Sequence, residues 1–310
     1  MATLSEITSV LYSGDPRANS LLHPFTNWNY LTGDVLVAVD TLAFSFALDA
    51  DVSRAAPDHS PLAFNSVQQA AVRALLAYSE GVTGIHFVEV ADAARAQLHF
   101  ANSDLDGNSV SGLTVSSYAY SGSAERISSF SAEAFVFLDD VQWAAFNTAP
   151  RAGTEGYETL LHELGHALGL GHPFDGTVRL PASEDNTNNT VMSYTRAGGP
   201  KSLFQPYDLL ALQWIYGGDG LGGTLGYNST LGPSLSGGSG ITIIGSAAGD
   251  SLVGGPGGDT IRGLAGNDFL VGQGGDDVLD GGPGIDTAIY SNSRDAYVLT
   301  HGVASMPCVI

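Results

Sequence analysis

Basic residues are scarce. The 310-residue chain has 11 Lys and Arg against 32 Asp and Glu, a formal net charge of −21. That balance argues against a nucleic-acid-binding surface and suits a protein that takes up divalent cations. Cysteine is scarcer still: Cys308 stands alone, so no internal disulfide can form. No run of about 18 apolar residues occurs, so no helical membrane span is expected. Residues 1–10 lack a basic start and a long apolar core, so they do not read as a conventional secretory signal. Hydrophobic residues make up 44%, a globular proportion, and the length allows one large domain plus a smaller module. Glycine is plentiful, with 40 copies, and its placement carries more than its number.

The densest signal is the stretch His162-Glu163-Leu164-Gly165-His166-Ala167-Leu168-Gly169-Leu170-Gly171-His172-Pro173. His162 and His166 are four apart, so a helix puts them on one face, where they can grip one metal ion. Neutral imidazole suits zinc. Glu163 projects beside the metal and can deprotonate a bound water. Gly169 lets the chain leave the helix through a left-handed conformation, and the turn brings His172 back as a third ligand. Three protein ligands leave a position open for water, the arrangement of a catalytic zinc rather than a closed structural one.

This pattern resembles that of the metzincin zinc proteases. The resemblance implies a methionine turn beneath the zinc, and Val191-Met192-Ser193-Tyr194 fits it, with Met192 as a soft hydrophobe under the imidazoles. It also implies that Tyr194 reaches the metal and hydrogen-bonds the oxyanion of the intermediate, as in the serralysin and astacin branches. Pro173, directly after the third histidine, is similar to the serralysin branch. His86 and His99, in strand-like runs, are read as satisfied structural histidines.

A second pattern runs through the C-terminal part. From residue 245 the sequence repeats every nine residues. Gly245, Gly254, Gly263, Gly272 and Gly281 take the first position, and Asp250, Asp259, Asp268, Asp277 and Asp286 the sixth. Leu252, Ile261, Leu270, Leu279 and Ala288 take the eighth. This resembles the calcium-binding nonapeptide of RTX proteins. The aspartates would supply hard, charged oxygens, and the turns through Gly255, Gly257, Gly266, Gly275 and Gly284 would supply carbonyls. The eighth residue is expected to point inward from a short strand into a thin core. Ser246, Leu264 and Gln273 replace the usual second glycine. Folding of the roll is expected to require calcium.

The rest of the chain orders itself around these two signals. Residues 1–24 read as a polar, loosely ordered lead-in or propeptide. Strands are expected over 41–47, 84–90, 97–101 and 133–138, and helices over 66–80, from about 155 through the histidines, and over 208–216. Residues 217–244, rich in Gly and Ser, mark a linker. The fold expected is α+β: a metzincin-type catalytic domain over 25–216, a short parallel β-roll over 245–290, and a tail over 291–310. Serralysins place extra calcium ligands in the spacer and continue into a C-terminal secretion segment; neither is evident here.

The resemblance implies a secreted zinc-dependent endopeptidase acting on extended, extracellular protein substrates, with Zn(2+) and Ca(2+) as cofactors. It further implies a proteinaceous inhibitor and a bacterial one-step export machinery as partners, and export without an N-terminal signal peptide. Substrate is expected to pair with an edge strand over 97–102. Two other readings stay open: a calcium-dependent adhesion or surface-layer protein, and an inactive protease homologue. A caseinolysis assay with and without a zinc chelator separates them.

Overall fold

The computed structural model describes residues 12–13, 15–23, 28–30, 41–105, 107, 109–123, 126–218, 220–221, 242–244, 251–253, 258–272 and 276–289. The chain divides into two compact units, Met1–Thr224 and Leu225–Ile310. Most of the 217–244 spacer, the whole 291–310 tail with Cys308, and Asp250, Gly255, Gly257 and Gly275 lie outside the described residues.

In the first unit, short helix α1 (Pro16–Asn19) precedes strand β1 (Thr41–Ser45), helix α2 (Ala50–Ala55) and the two-residue strand β2 (Leu62–Ala63). Helix α3 (Ser66–Thr83) then leads to strands β3 (His86–Glu89), β4 (Leu98–Ser103), β5 (Gly112–Ser123) and β6 (Arg126–Asp139). Helices α4 (Ala144–Asn147), α5 (Glu155–Ala167) and α6 (Pro206–Tyr216) complete the unit. The α3 sequence carries its own start and stop. Asn65 and Gln68 form a reciprocal capping box, and Gly84 closes the helix at φ 73°.

The sheet runs in the order β3-β1-β4-β6-β5, with β2 paired to β4. β3, β1, β4 and β6 are parallel neighbours, and β5 returns antiparallel along β6. β4 is therefore a central strand, buried along its whole length, and the expectation of a substrate-binding edge over 97–102 fails. The edge on this side is β5, which the sequence reading passed over. Its residues from Ser116 onward are exposed and rich in Ser, Gly and Tyr, so it lacks the apolar run that marks the buried strands.

His86 and His99 separate. His86 is exposed, and its Nδ1 meets Glu80 Oε1 at 2.8 Å. His99 is buried and stacks on Phe135 with centroids 4.5 Å apart, while its Nε2 stands 3.9 Å from Glu133 Oε1, beyond hydrogen-bond length. Burial holds its imidazole neutral, with a pKa below the ordinary value. It is a packing residue rather than a satisfied polar one.

The lead-in also departs from expectation. Ala18 and Leu21 are buried, and Gly171 N–H donates to Leu21 O at 2.7 Å beside a Leu22–Leu170 bridge. Arg17 lies over the Tyr207 ring at 5.5 Å, and Trp28 Nε1 donates to Ala167 O at 2.8 Å. The sequence here is short and polar, but its few apolar residues clasp the end of α5 and the turn that follows it.

The second unit is built of three-residue parallel strands: β7 (Thr242–Ile244), β8 (Ser251–Val253), β9 (Thr260–Arg262), β10 (Phe269–Val271), β11 (Val278–Asp280) and β12 (Thr287–Ile289). Even-numbered strands form one sheet, β12-β10-β8, and odd-numbered strands the other, β11-β9-β7. Partners lie two repeats apart, as in Leu270 against Leu252 and Ala288, or Ile261 against Ile243 and Leu279. The eighth-position residues thus divide between two walls. Ile261 and Leu270 are buried, while Leu252, Leu279 and Ala288 are only partly so.

Candidate metal centres

Helix α5 builds the first site. Its amphipathic spacing buries Leu160, Leu161 and Leu164, and the following Leu168 joins them, which turns the opposite face, with His162 and His166, toward the cleft. Glu155 and Glu158 sit in the first turn, where the helix dipole favours negative charge. At the far end, Gly169 at φ 102° and the Leu170 N–H to Gly165 O bond of 2.9 Å reverse the chain. The reversal delivers His172, and Pro173 follows it, buried.

Ring nitrogens of His162, His166 and His172 lie within 4.8 Å of one another. The outer nitrogen of each ring is already committed. Nδ1 of His162 donates to Val191 O at 2.8 Å, Nδ1 of His166 to Leu170 O at 2.8 Å, and Nδ1 of His172 to Asp175 Oδ2 at 2.9 Å. These partners fix the tautomers, so all three Nε2 atoms present lone pairs to one another. His166 Nε2 and His172 Nε2 are 3.1 Å apart. Two lone pairs at that separation repel unless a cation lies between them. Burial presses His162 down to about 4 and His166 to about 3, so both imidazoles stay neutral and ready to ligate. The donor set fits zinc.

Met192 is fully buried and packs against the same helix. A Cβ at Gly165 would stand 2.7 Å from Met192 Sδ, so the close approach needs glycine there. The neighbouring Val191 supplies the carbonyl that holds His162. Asp208, at the start of α6 and fully buried, holds this turn in its place. It accepts from Thr190 Oγ1 at 2.5 Å, Val191 N–H at 2.9 Å and Gln205 N–H at 2.7 Å.

Two further groups border the opening. Glu163 is 5% exposed, and burial pushes its carboxyl up to about 8, against the opposing effect of a Thr114 hydrogen bond. Tyr194 is 70% exposed and its hydroxyl donates to His172 Nε2 at 2.9 Å. Phe174 stacks on the His172 ring at 5.0 Å and meets the Tyr194 ring at 5.0 Å, which steadies both. Desolvation, and then the negative charges of Glu163 and Asp175, raise the Tyr194 pKa.

The sequence reading missed Thr114, Phe174, Asp175 and Asp208. Asp175 had a local signal, a carboxylate three residues after a metal-binding histidine, since such histidines need an acceptor for their other nitrogen. Thr114 and Asp208 lie 49 and 18 residues from their partners and left no local signal.

The repeats form the second candidate centre. Asp259 N–H donates to Asp277 Oδ1 at 2.8 Å and Asp268 N–H to Asp286 Oδ1 at 3.0 Å, each across 18 residues. Among the described residues, Asp268, Asp277 and Asp286 also fold over the first glycine of their own repeats. A Cβ on Gly263 would clash with Asp268 Oδ2, and one on Gly281 with Asp286 Oδ2. The repeated Gly and Asp are thus one packing unit. Asp277 has its pKa raised by burial and by the nearby Asp259 and Asp276 charges, a crowding of carboxylates that a hard divalent cation relieves. Gly266 and Gly284 carry the positive φ of the intervening turns, 134° and 156°.

Comparisons with known proteins agree with this geometry. The matrixin family matches residues 51–195, and the RTX calcium-binding nonapeptide repeat (4 copies) matches residues 253–288. A serralysin of Proteus mirabilis is 30% identical over 204 residues, covering 56% of this chain and 40% of that protein. Serralysin G of Dickeya chrysanthemi is 28% identical over 179 residues, 50% of this chain and 34% of its own length. Metalloprotease AprA of Pseudomonas entomophila is 26% identical over 226 residues, 66% of this chain and 44% of its own length. The chain therefore spans less than half the length of these relatives. The metals that accompany the two matched families are zinc and calcium. With three converging imidazoles, a buried methionine turn and in-register Gly/Asp repeats, the chain is similar to the serralysin-like metzincins that carry RTX repeats.

Proposed function

We propose that the chain is a secreted zinc-dependent endopeptidase that hydrolyses peptide bonds of extracellular proteins, with a calcium-stabilised C-terminal module. The observation that carries this reading is the convergence of three Nε2 lone pairs beside a buried carboxylate and a tyrosine hydroxyl. His162, His166 and His172 would hold the metal, which would supply Lewis acidity there. Glu163 is placed to take the proton of an attacking water on a carboxylate oxygen and to pass it to the leaving amine. The Tyr194 hydroxyl, at the exposed mouth of the site, turns to donate to the developing oxyanion. Gly169, Pro173 and Met192 shape the floor and the turn.

The substrate lies extended along the outer edge of β5 and pairs through its backbone, so selectivity among sequences is broad. In the repeats, the sixth-position aspartates Asp250, Asp259, Asp268, Asp277 and Asp286 and the carbonyls of Gly255, Gly257, Gly266, Gly275 and Gly284 hold calcium. Residues 25–216 serve as the catalytic part and 245–290 as the calcium-binding part. A proteinaceous inhibitor and a one-step export machinery are its partners in this reading.

Glu163→Ala tests it. The three imidazoles remain, so zinc should stay near one per chain while caseinolysis falls by about 10²–10⁴-fold, the scale of a positioned acid–base group. Near-wild-type proteolysis in a fully zinc-loaded variant overturns the role of Glu163. No zinc-dependent proteolysis in the wild type overturns the enzyme reading.

A further inference from the structure

Glu163 has a positioning problem. It is a long side chain with several rotatable bonds, and ordering such a chain costs rotamer freedom. A general base must nevertheless stand within about 2.6–3.2 Å of the proton it takes. The histidines do not hold it, because their outer nitrogens bond to Val191, Leu170 and Asp175. The solution lies on β5.

We propose that Thr114 is a positioning residue for the reaction: its hydroxyl fixes the Glu163 carboxylate, and the face of β5 that carries it sets both carboxylate oxygens. This rests on the endopeptidase reading above. Thr114 Oγ1 lies 2.8 Å from Glu163 Oε2 and 2.8 Å from Glu163 O, so one hydroxyl touches both the head and the backbone of the same residue. Residues 112 and 114 share one face of the strand. At Gly112 an added Cβ would stand 2.7 Å from Glu163 Cγ and 2.9 Å from Glu163 Oε1. One oxygen is therefore held by a hydroxyl and the other backed by bare backbone.

The strand itself is fixed where it does this. Gly112 pairs with Leu138 and Thr114 with Val136 on β6. Just before it, Ser111 O accepts from Asp139 N–H at 3.0 Å and from Asn147 Nδ2 at 2.8 Å, and Ser111 Oγ lies 3.2 Å from Thr159 Oγ1 on the histidine helix. The edge strand proposed to bind substrate thus also places the base. Register between the scissile bond and the carboxylate comes from one piece of backbone. Misplacing a reacting group by about 1 Å can cost about 10²-fold in rate.

The test is a set of full-length variants, measured for kcat and KM on a peptide substrate, zinc content, zinc affinity by chelator competition, and melting temperature. Thr114→Val keeps the shape and removes the hydroxyl. It should lower kcat by about 10- to 100-fold with KM held within about twofold. Thr114→Ser should recover kcat to within about threefold of wild type. Both should bind one zinc per chain with unchanged affinity. In a Glu163→Gln background, Thr114→Val should add no further loss, since the group it positions is gone. Gly112→Ala, which crowds the same carboxylate from the other side, should also lower kcat without loss of zinc.

Wild-type kcat in Thr114→Val overturns the proposal. So does equal impairment of the serine and valine variants, or a loss in Thr114→Val that tracks with shed zinc or a lowered melting temperature. An inactive wild type is a different failure and sinks the endopeptidase reading instead.

Discussion

In the first unit, Leu42, Leu75, Leu98, Phe137 and Leu161 are completely withdrawn from water around a mixed sheet and its helices. In the second, the described apolar side chains buried to a similar degree are Ile261, Leu270 and Val271. The first unit also encloses polar groups, Asp139 and Asp208 among them, but within a large apolar core. The second places Asp259 and Asp268, each 1% exposed, inside. Full burial of a Leu or Phe side chain is worth about 1.5–3 kcal/mol, so the first unit can meet the entropy of ordering from packing. The second, with three such side chains and two enclosed carboxylates among its described residues, has far less packing to set against that entropy. In the function proposed above, one unit uses its metal for chemistry and the other uses its metal for folding.

The sharpest way to break that comparison is to remove calcium from the full chain. Amides of β8 to β12 should then exchange with solvent at rates close to those of an unfolded chain, while amides of β4 and β6 stay protected. A calcium concentration of 100 times Kd contributes about 2.7 kcal/mol per site, and the loss compounds over several sites. Equal protection of the repeat strands with and without chelator would place the two units in the same class.

A smaller effect tests the first unit. Leu21 is fully buried, and its carbonyl holds the Gly171 amide next to the third histidine. Leu21→Ala should cost about 2–5 kcal/mol, the range for emptying a packed leucine site. It should also weaken zinc retention in chelator competition, with no change in calcium response. A variant with wild-type melting and zinc affinity would show that residues 15–22 are dispensable.

The smallest effect concerns backbone strain in the repeats. Leu264 takes φ 75°, where the matching position two repeats on is Gly282 at φ 83°. A side chain in that region costs about 1–2 kcal/mol. Leu264→Gly should therefore lower the calcium midpoint for folding by a few-fold, read by circular dichroism on the full chain. An unchanged or raised midpoint would show that the leucine is not strained there.

What was legible in the sequence was local. The four-residue spacing of His162 and His166, the glycine that ends their helix, and the nine-residue period each encode their geometry within one or two turns of chain. What was not legible depended on partners far along the chain. β5 drew no strand expectation because its residues from Ser116 onward are largely polar and exposed, and only its pairing with β6 makes it a strand. Thr114 is an ordinary strand threonine until Glu163 is brought to it. The polar lead-in disclosed nothing of its role, because the Gly171 amide it satisfies belongs to a turn 150 residues away. The edge strand was misplaced for the same reason: strand order is a property of the sheet, not of any one segment.

The alternation of strands between two walls in the repeats has a consequence for how such a module can change length. Because β8, β10 and β12 share one sheet and β7, β9 and β11 the other, an in-frame gain or loss of a single nonapeptide reverses the parity of everything after it. Each downstream strand would transfer to the opposite wall. It would still present an eighth-position apolar residue inward and a sixth-position aspartate to the turn, since every copy carries both. The module is thus indifferent to odd or even copy number. A nine-residue slip there is tolerated by symmetry, whereas a shift of one residue in β5 would turn Thr114 away from the carboxylate it faces.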